Sequence, residues 1–167
     1  MVKKMVSSTQ RKIKKTASGN LPSIRKKLSI QIEIIKSAPT ASIIALHKAG
    51  GWWEESAENR AVVPVIVRKS FAFAVAKTAR GKIVGMGRVI SDGCSDGYIQ
   101  DVAVLDDWRG QGIGQSIIKS LTDHCTRKGL SWIGLVAKPG TSGFYRKIGF
   151  KSQKGFNLML FTGEVKK

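Results

Sequence analysis

The sequence predicts one α/β domain with a mixed sheet, preceded by a basic N-terminal arm. Three observations carry this. Apolar runs of strand length interleave with runs of helical period, in the order β α α β β β α β α β. A length of 167 residues supports one core, and neither a repeat nor a second core is visible. A glycine-rich turn, "RGQGIG", joins a strand to a helix in the middle of the chain.

The elements follow in order. Residues 1–28 are rich in Lys, Ser and Thr, with Gly19 and Pro22 as breakers, and have the composition of a loosely attached arm. A short amphipathic helix is expected at Arg11–Ala17. An organelle presequence is a second reading of this arm, weakened because Lys outnumbers Arg. "LSIQIEIIK" alternates and gives a first strand over Ser29–Lys36. Pro39 opens a helix, "TASIIALHKAG", that Gly50 and Gly51 end. A second helix is expected from Glu54 to about Asn59. "SFAFAVAKT" and "KIVGMGRVIS" flank "ARG" and predict a hairpin. "YIQDVAVL" is the next strand. In "QGIGQSIIKSLTDHCTRKG", Ile113, Ile117, Ile118 and Leu121 recur at helical spacing and Gly129 stops the helix. "SWIGLVA" is a short strand, "KPGTSGFYRKIGF" a loop, short helix and turn, and "GFNLMLFT" a closing strand.

Composition narrows the class. Hydrophobic residues make up 42% and charged residues 24%, as in ordinary globular domains. No apolar run reaches the roughly 20 residues of a membrane helix, so no membrane partner is expected. Cys94 and Cys125 suggest no disulfide framework, and with His47 and His124 they fit no zinc spacing. No metal is expected, and a reducing cytoplasm is the default compartment. The net charge is +18. Residues 1–37 carry ten Lys/Arg against Glu33 alone, and the remainder nineteen against ten acids. Such a field attracts polyanions: nucleic acid, acidic surfaces or multiply phosphorylated cofactors. A solubilising tail explains the arm equally well.

Gly110, Gly112 and Gly114 alternate behind Arg109, directly before a helix. The first turn of a helix has unpartnered N–H groups and partial positive charge. Glycine lets a ligand approach the backbone. Together these make a phosphate site; the alternative is a tight loop that uses glycine only to turn, which a single glycine would favour more than three in five positions do. A Walker loop is excluded, because no lysine stands at the required place. A dinucleotide fingerprint also fails, since the third glycine comes one residue early.

The segment "VAVLDDWRGQGIG" resembles the phosphate loop of the GNAT superfamily of acyl-coenzyme A-dependent acyltransferases, Arg/Gln-x-x-Gly-x-Gly/Ala after a strand. Arg109, Gly112 and Gly114 stand at its marked positions. A second family segment, "FY-x-x-x-GF", matches "GFYRKIGF" at Gly143–Phe150. The strand order agrees from Ser29 onward, the arm is not covered, and Tyr98–Phe150 is the specific part. The strand "YIQDVAVL" looks most like that of small bacterial members. Asp106–Asp107 departs from the family's usual proline and polar residue, which changes the turn and not the glycines.

The resemblance implies a GNAT-like α+β fold: a mostly antiparallel mixed sheet flanked by helices, with a splayed central strand pair. It implies acetyl-CoA as cofactor. By resemblance, Arg109, Gly110, Gln111, Gly112, Ile113 and Gly114 cradle its pyrophosphate, with Gln115 helping. Arg109 positions the loop or the phosphate. Val102, Ala103 and Val104 pair with the pantetheine arm, and Arg146 and Lys147 are weaker candidates for the 3′-phosphate. The family polarises the thioester with a backbone N–H, here Val102, and often uses a tyrosine acid, here Tyr145. A core aromatic is the bland reading of Tyr145. Gln100 and Asp101 adjoin the reactive end of the strand, and alternation places them on opposite faces. Asp101 is either the general base or a structural acceptor. Glu54 and Glu55 follow Trp52–Trp53 in a region that walls the family's acceptor site, although a charged helix N-terminus explains them too.

The expected function is acetyl transfer from acetyl-CoA to a primary amine of a small molecule or protein. The alternative is a nucleic-acid-associated or coenzyme A-sensing module on the same fold. The arm has basic residues without an aromatic stacking platform, so nucleic-acid contact through it is non-specific. A homodimer is compatible with the resemblance. The amine acceptor is not legible.

Overall fold

The computed structural model describes residues 29–161. The arm over 1–28, including the helix expected at Arg11–Ala17, lies outside the described residues. Five strands form one sheet in sequential order: β1 Ile30–Ile34, β2 Ala72–Thr78, β3 Ile83–Ile90, β4 Asp96–Val104 and β5 Trp132–Leu135. The first four pair antiparallel, and β4 and β5 run parallel. The sheet is mixed, as the sequence predicts, and mostly antiparallel, as the resemblance implies. Four helices accompany it among the described residues: α1 Thr40–Gly50, α2 Ala57–Lys69, α3 Ile113–Arg127 and α4 Ser142–Arg146.

The core has two halves, one on each face of the sheet. α3 buries Ile113, Ile117, Ile118, Leu121 and Cys125 against Ala72, Ala74, Val84, Val89 and Ile99. α1 and α2 bury Ile43, Ile44, Leu46, Val63 and Val67 against Phe73, Val75, Met86 and Ala103. Alternation assigns Ala72 and Ala74 to one face of β2 and Phe73 and Val75 to the other, while register shifts let Val84 and Met86 of β3, and Ile99 and Ala103 of β4, fall on different faces. Each large apolar side chain taken fully from water contributes about 1.5–3 kcal/mol.

Two elements differ from expectation. α2 starts at Ala57, not Glu54, and runs on to Lys69 through Pro64. Ser56 decides the start: its side chain accepts from the Asn59 N–H and caps the helix. Burial of Val63 and Val67 carries the helix past the proline, so tertiary packing outweighs local propensity. The closing strand in "GFNLMLFT" is not formed. Phe156–Phe161 has no ladder partner, and Met159 is 88% exposed. Alternation asks for burial but does not name an edge, and Gly149 and Gly155, both at positive φ, turn the chain beforehand.

Close approach of α3 to the sheet rests on small residues in β3. A Cβ on Gly87 would lie 2.9 Å from Ile117 Cγ2, 3.2 Å from Leu121 Cδ1 and 3.3 Å from Val102 Cγ2. Gly87→Ala is therefore expected to overpack this layer and cost about 1–3 kcal/mol. A urea unfolding series checks this, and an unchanged midpoint would show that α3 can lift without cost.

Candidate functional site

β4 pairs with β5 only from Asp96↔Trp132 to Ile99↔Leu135. Beyond Ile99 the two strands part, which is the splayed pair the resemblance implies. A cleft of about 970 Å³ opens there. Its walls include Gln100–Val104 of β4, Leu135 at the end of β5 and Val136 beyond it, Trp108–Gly110 and Gly112–Gln115 about the glycine turn, and Phe144 and Tyr145 of α4. Gln111 is outside this lining, and its side-chain amide donates to Asp107 O instead.

A bulge bends β4 at the point of parting. Arg88 pairs with Gln100 and Met86 with Ala103, so Gly87 alone faces both Asp101 and Val102. Asp101 takes φ +53°, unique among the described non-glycine residues. Its carboxylate accepts from Arg88 Nε, while Arg88 Nη2 donates 2.9 Å to Gln100 Oε1. The expectation that Gln100 and Asp101 occupy opposite faces is thus corrected. The inserted residue breaks the two-residue period, and one guanidinium gathers both side chains. Asp101 is committed to an ion pair, which suits the structural reading better than that of a free base.

The same bulge exposes backbone groups. The Leu105 N–H donates 2.9 Å to Val84 O, towards β3. Alternation then turns the Val104 N–H the other way, towards the cleft, and Val102 lines the same cleft from within the bulge. Arg109 covers the Val104 carbonyl through Nε at 3.1 Å. Its Nη2 donates 2.9 Å to Ala49 O at the end of α1 and pairs with Asp106 at 2.8 Å. The guanidinium therefore fastens the loop to β4 and α1.

Gly110 and Gly112 take φ +73° and +78°, and a Cβ on either would meet nothing within 4 Å. The conformation, not crowding, demands glycine there. Gly114 differs: a Cβ there would lie 3.2 Å from Phe144 Cζ, so it admits α4 against the start of α3. Among the described residues, no acceptor meets the N–H groups of Gly112, Ile113, Gly114 and Gln115. These are the orphan donors of the α3 N-terminus, and they face the cleft. The Arg109 N–H is not among them, since it donates to Asp106 O at 3.1 Å.

Tyr145 lines the cleft and packs edge-on against Phe144 and Phe150. Burial pushes its pKa up, which keeps the hydroxyl protonated. Neither Glu54 nor Glu55 lines the cleft. Glu55 accepts from Trp53 Nε1 and pairs with Arg60 and Lys48, and these partners hold its carboxyl below the usual range. Arg146 and Lys147 are exposed and also lie outside the cleft lining. Among the described residues, no group of three metal-ligating side chains forms.

Sequence reasoning missed Arg88, Lys138 and the packing of His47. His47 is buried on α1 and accepts through Nδ1 from Trp52 Nε1 at 2.6 Å. Only its place on the apolar face beside Ile43, Ile44 and Leu46 signalled burial.

The free donors at α3, the open space at Gly110 and Gly112, and the unpaired β4 edge fit a ligand with an anionic middle and an extended amide chain. Acyl-coenzyme A has that form. The family profile described as Acetyltransferase (GNAT) domain matches residues 69–152. The uncharacterized N-acetyltransferase ycf52 of Pyropia yezoensis is 31% identical over 93 residues, 56% of this chain and 49% of that protein. The chloroplastic serotonin N-acetyltransferase 2 of Oryza sativa subsp. japonica is 35% identical over 75 residues, 45% of this chain and 38% of that one. The chain thus spans about half, or less, of these curated relatives. The solved complex of AAC(6')-Iy with the bisubstrate analog CoA-S-monomethyl-acetylneamine shares the fold, with a TM-score of 0.66 at 15% identity, covering 82% of this chain and 99% of that one. A profile match over half of the chain, laid on this loop and this parted sheet, makes the protein a member of the GNAT acetyltransferase family.

Proposed function

We propose that this protein transfers an acetyl group from acetyl-CoA directly to a primary amine of a small molecule or protein. The observation that carries this is the row of free N–H groups from Gly112 to Gln115 beside the unpaired edge of β4. When bound, acetyl-CoA supplies the activated acyl thioester.

The chain's own residues divide the remaining work. The N–H groups at the start of α3 bind the pyrophosphate, aided by the helix dipole. Val102 and Val104 offer backbone groups to the amide chain, as an added strand does at a sheet edge. The Val102 N–H would donate to the acyl oxygen as it gains negative charge, and one such donor is typically worth about 10²–10³ in rate. Tyr145 holds the proton that the departing sulfur needs. Arg88 and Asp101 act indirectly, by fixing the bulge that presents Val102.

Calorimetric titration with acetyl-CoA, with ATP and NAD as controls at equal ionic strength, tests the cofactor. Selective micromolar binding of acetyl-CoA is expected. Equal weak binding of all three would mean that the basic surface alone attracts phosphate, and would overturn the reading. Tyr145→Phe is expected to lower turnover by about 10²-fold with little change in acetyl-CoA affinity. Steady-state release of free thiol measures it, and an unchanged turnover removes Tyr145 from the mechanism.

A further inference from the structure

The C-terminal end of α1 reaches the cleft from one wall, and the loop between β5 and α4 reaches it from the other. Trp52 and Lys138 join them. The Lys138 ammonium lies 4.7 Å from the Trp52 ring centroid. It also donates 3.1 Å to Gly50 O. A cation held over an aromatic face and by a helix C-terminal carbonyl is doubly favoured. Both contacts are exposed to solvent, so they are weak enough to open and close.

The indole is itself held. Its Nε1–H donates to His47 Nδ1 at 2.6 Å. Burial pushes the His47 pKa down, against the pull of the Asp101 carboxylate and with help from the Arg88 guanidinium. The ring stays neutral, and Nδ1 stays an acceptor. The indole also lies flat on Gly50, where a Cβ would sit 2.3 Å from its ring. Trp52 and Lys138 line the same cleft as Asp101 and Val102 of the bulge.

Resting on the acetyl-transfer reading, we infer that Trp52 and Lys138 form a bridge across the cleft that the β4 bulge lines, and limit the size of the amine that enters. His47 is the positioning residue that keeps Trp52 in the bridge. The bridge admits a slender primary alkylamine and hinders a bulky or branched one.

Two variants break the bridge by different means. Lys138→Met keeps the stem and removes the charge. Gly50→Ala removes no polar group but displaces the indole, and alanine is favourable within a helix. The first measurement is acrylamide quenching of tryptophan emission, with Trp52→Phe to subtract the other indoles. Both variants are expected to raise quenching of Trp52, and unchanged quenching overturns the bridge whether or not the protein is an acetyltransferase. The second is kcat/KM for primary amines of equal charge and increasing bulk. Both variants are expected to raise kcat/KM for the bulky amine about tenfold while leaving the slender amine and acetyl-CoA affinity unchanged. An equal change for all amines shows a general charge effect and overturns the size limit. Absence of thiol release with every amine, alongside the quenching change, overturns acetyl transfer and leaves the bridge standing. His47→Leu is expected to act like Gly50→Ala, and His47→Gln, whose amide oxygen can still accept from the indole, to keep wild-type quenching. Failure of Gln to differ from Leu removes the positioning role.

Discussion

The parting of β4 from β5 after Ile99 is the constraint on which the rest of the site depends. Parallel strands normally continue their ladder, because unpaired N–H and C=O groups are costly away from water. Here the inserted residue in β4 bends the strand away. A non-glycine residue at φ +53° costs on the order of 1–3 kcal/mol, and it persists only where the surroundings enforce it. The enforcement is visible. Arg88 grips both Asp101 and Gln100, one on each side of the bend.

The end of α1 is the second organising point. Its carbonyls are acceptors at the negative pole of a helix dipole. Arg109 reaches Ala49 O from the phosphate loop, and Lys138 reaches Gly50 O from the far wall. Arg109 also covers the Val104 carbonyl that the parted sheet leaves bare. One arginine therefore ties the loop, the strand and the helix together, which gives it a mechanical role even though its guanidinium is spent on the protein. A lysine could not do the same, because a single ammonium lacks the fork that spans several acceptors.

The two walls of the cleft differ in kind. The α3 end offers backbone donors from a rigid helix whose apolar stripe is wholly buried. The opposite end is closed by side chains on loops, through weak contacts that cost little to break. The charge of +18 adds a field that favours an anionic cofactor anywhere on the surface, so recognition has to come from the loop geometry.

The sequence by itself determined the helical stripe of α3, the glycine turn at Gly110 and Gly112 before it, and the hairpin of β2 and β3. Each of these is a local rule: periodicity, turn chemistry, or the length of an apolar run. "RGQGIG" and "GFYRKIGF" were enough to resemble a family because their roles are set by neighbours in the chain. Only the tertiary structure decided the bulge at Asp101, since strict alternation argues against it and the force that holds it comes from Arg88, 13 residues away. It also decided that α2 passes Pro64, that Phe156–Phe161 forms no strand, and that Lys138 meets Gly50 across 88 residues. Such contacts arise from where the folded chain places distant segments, and no local pattern in the sequence records that placement.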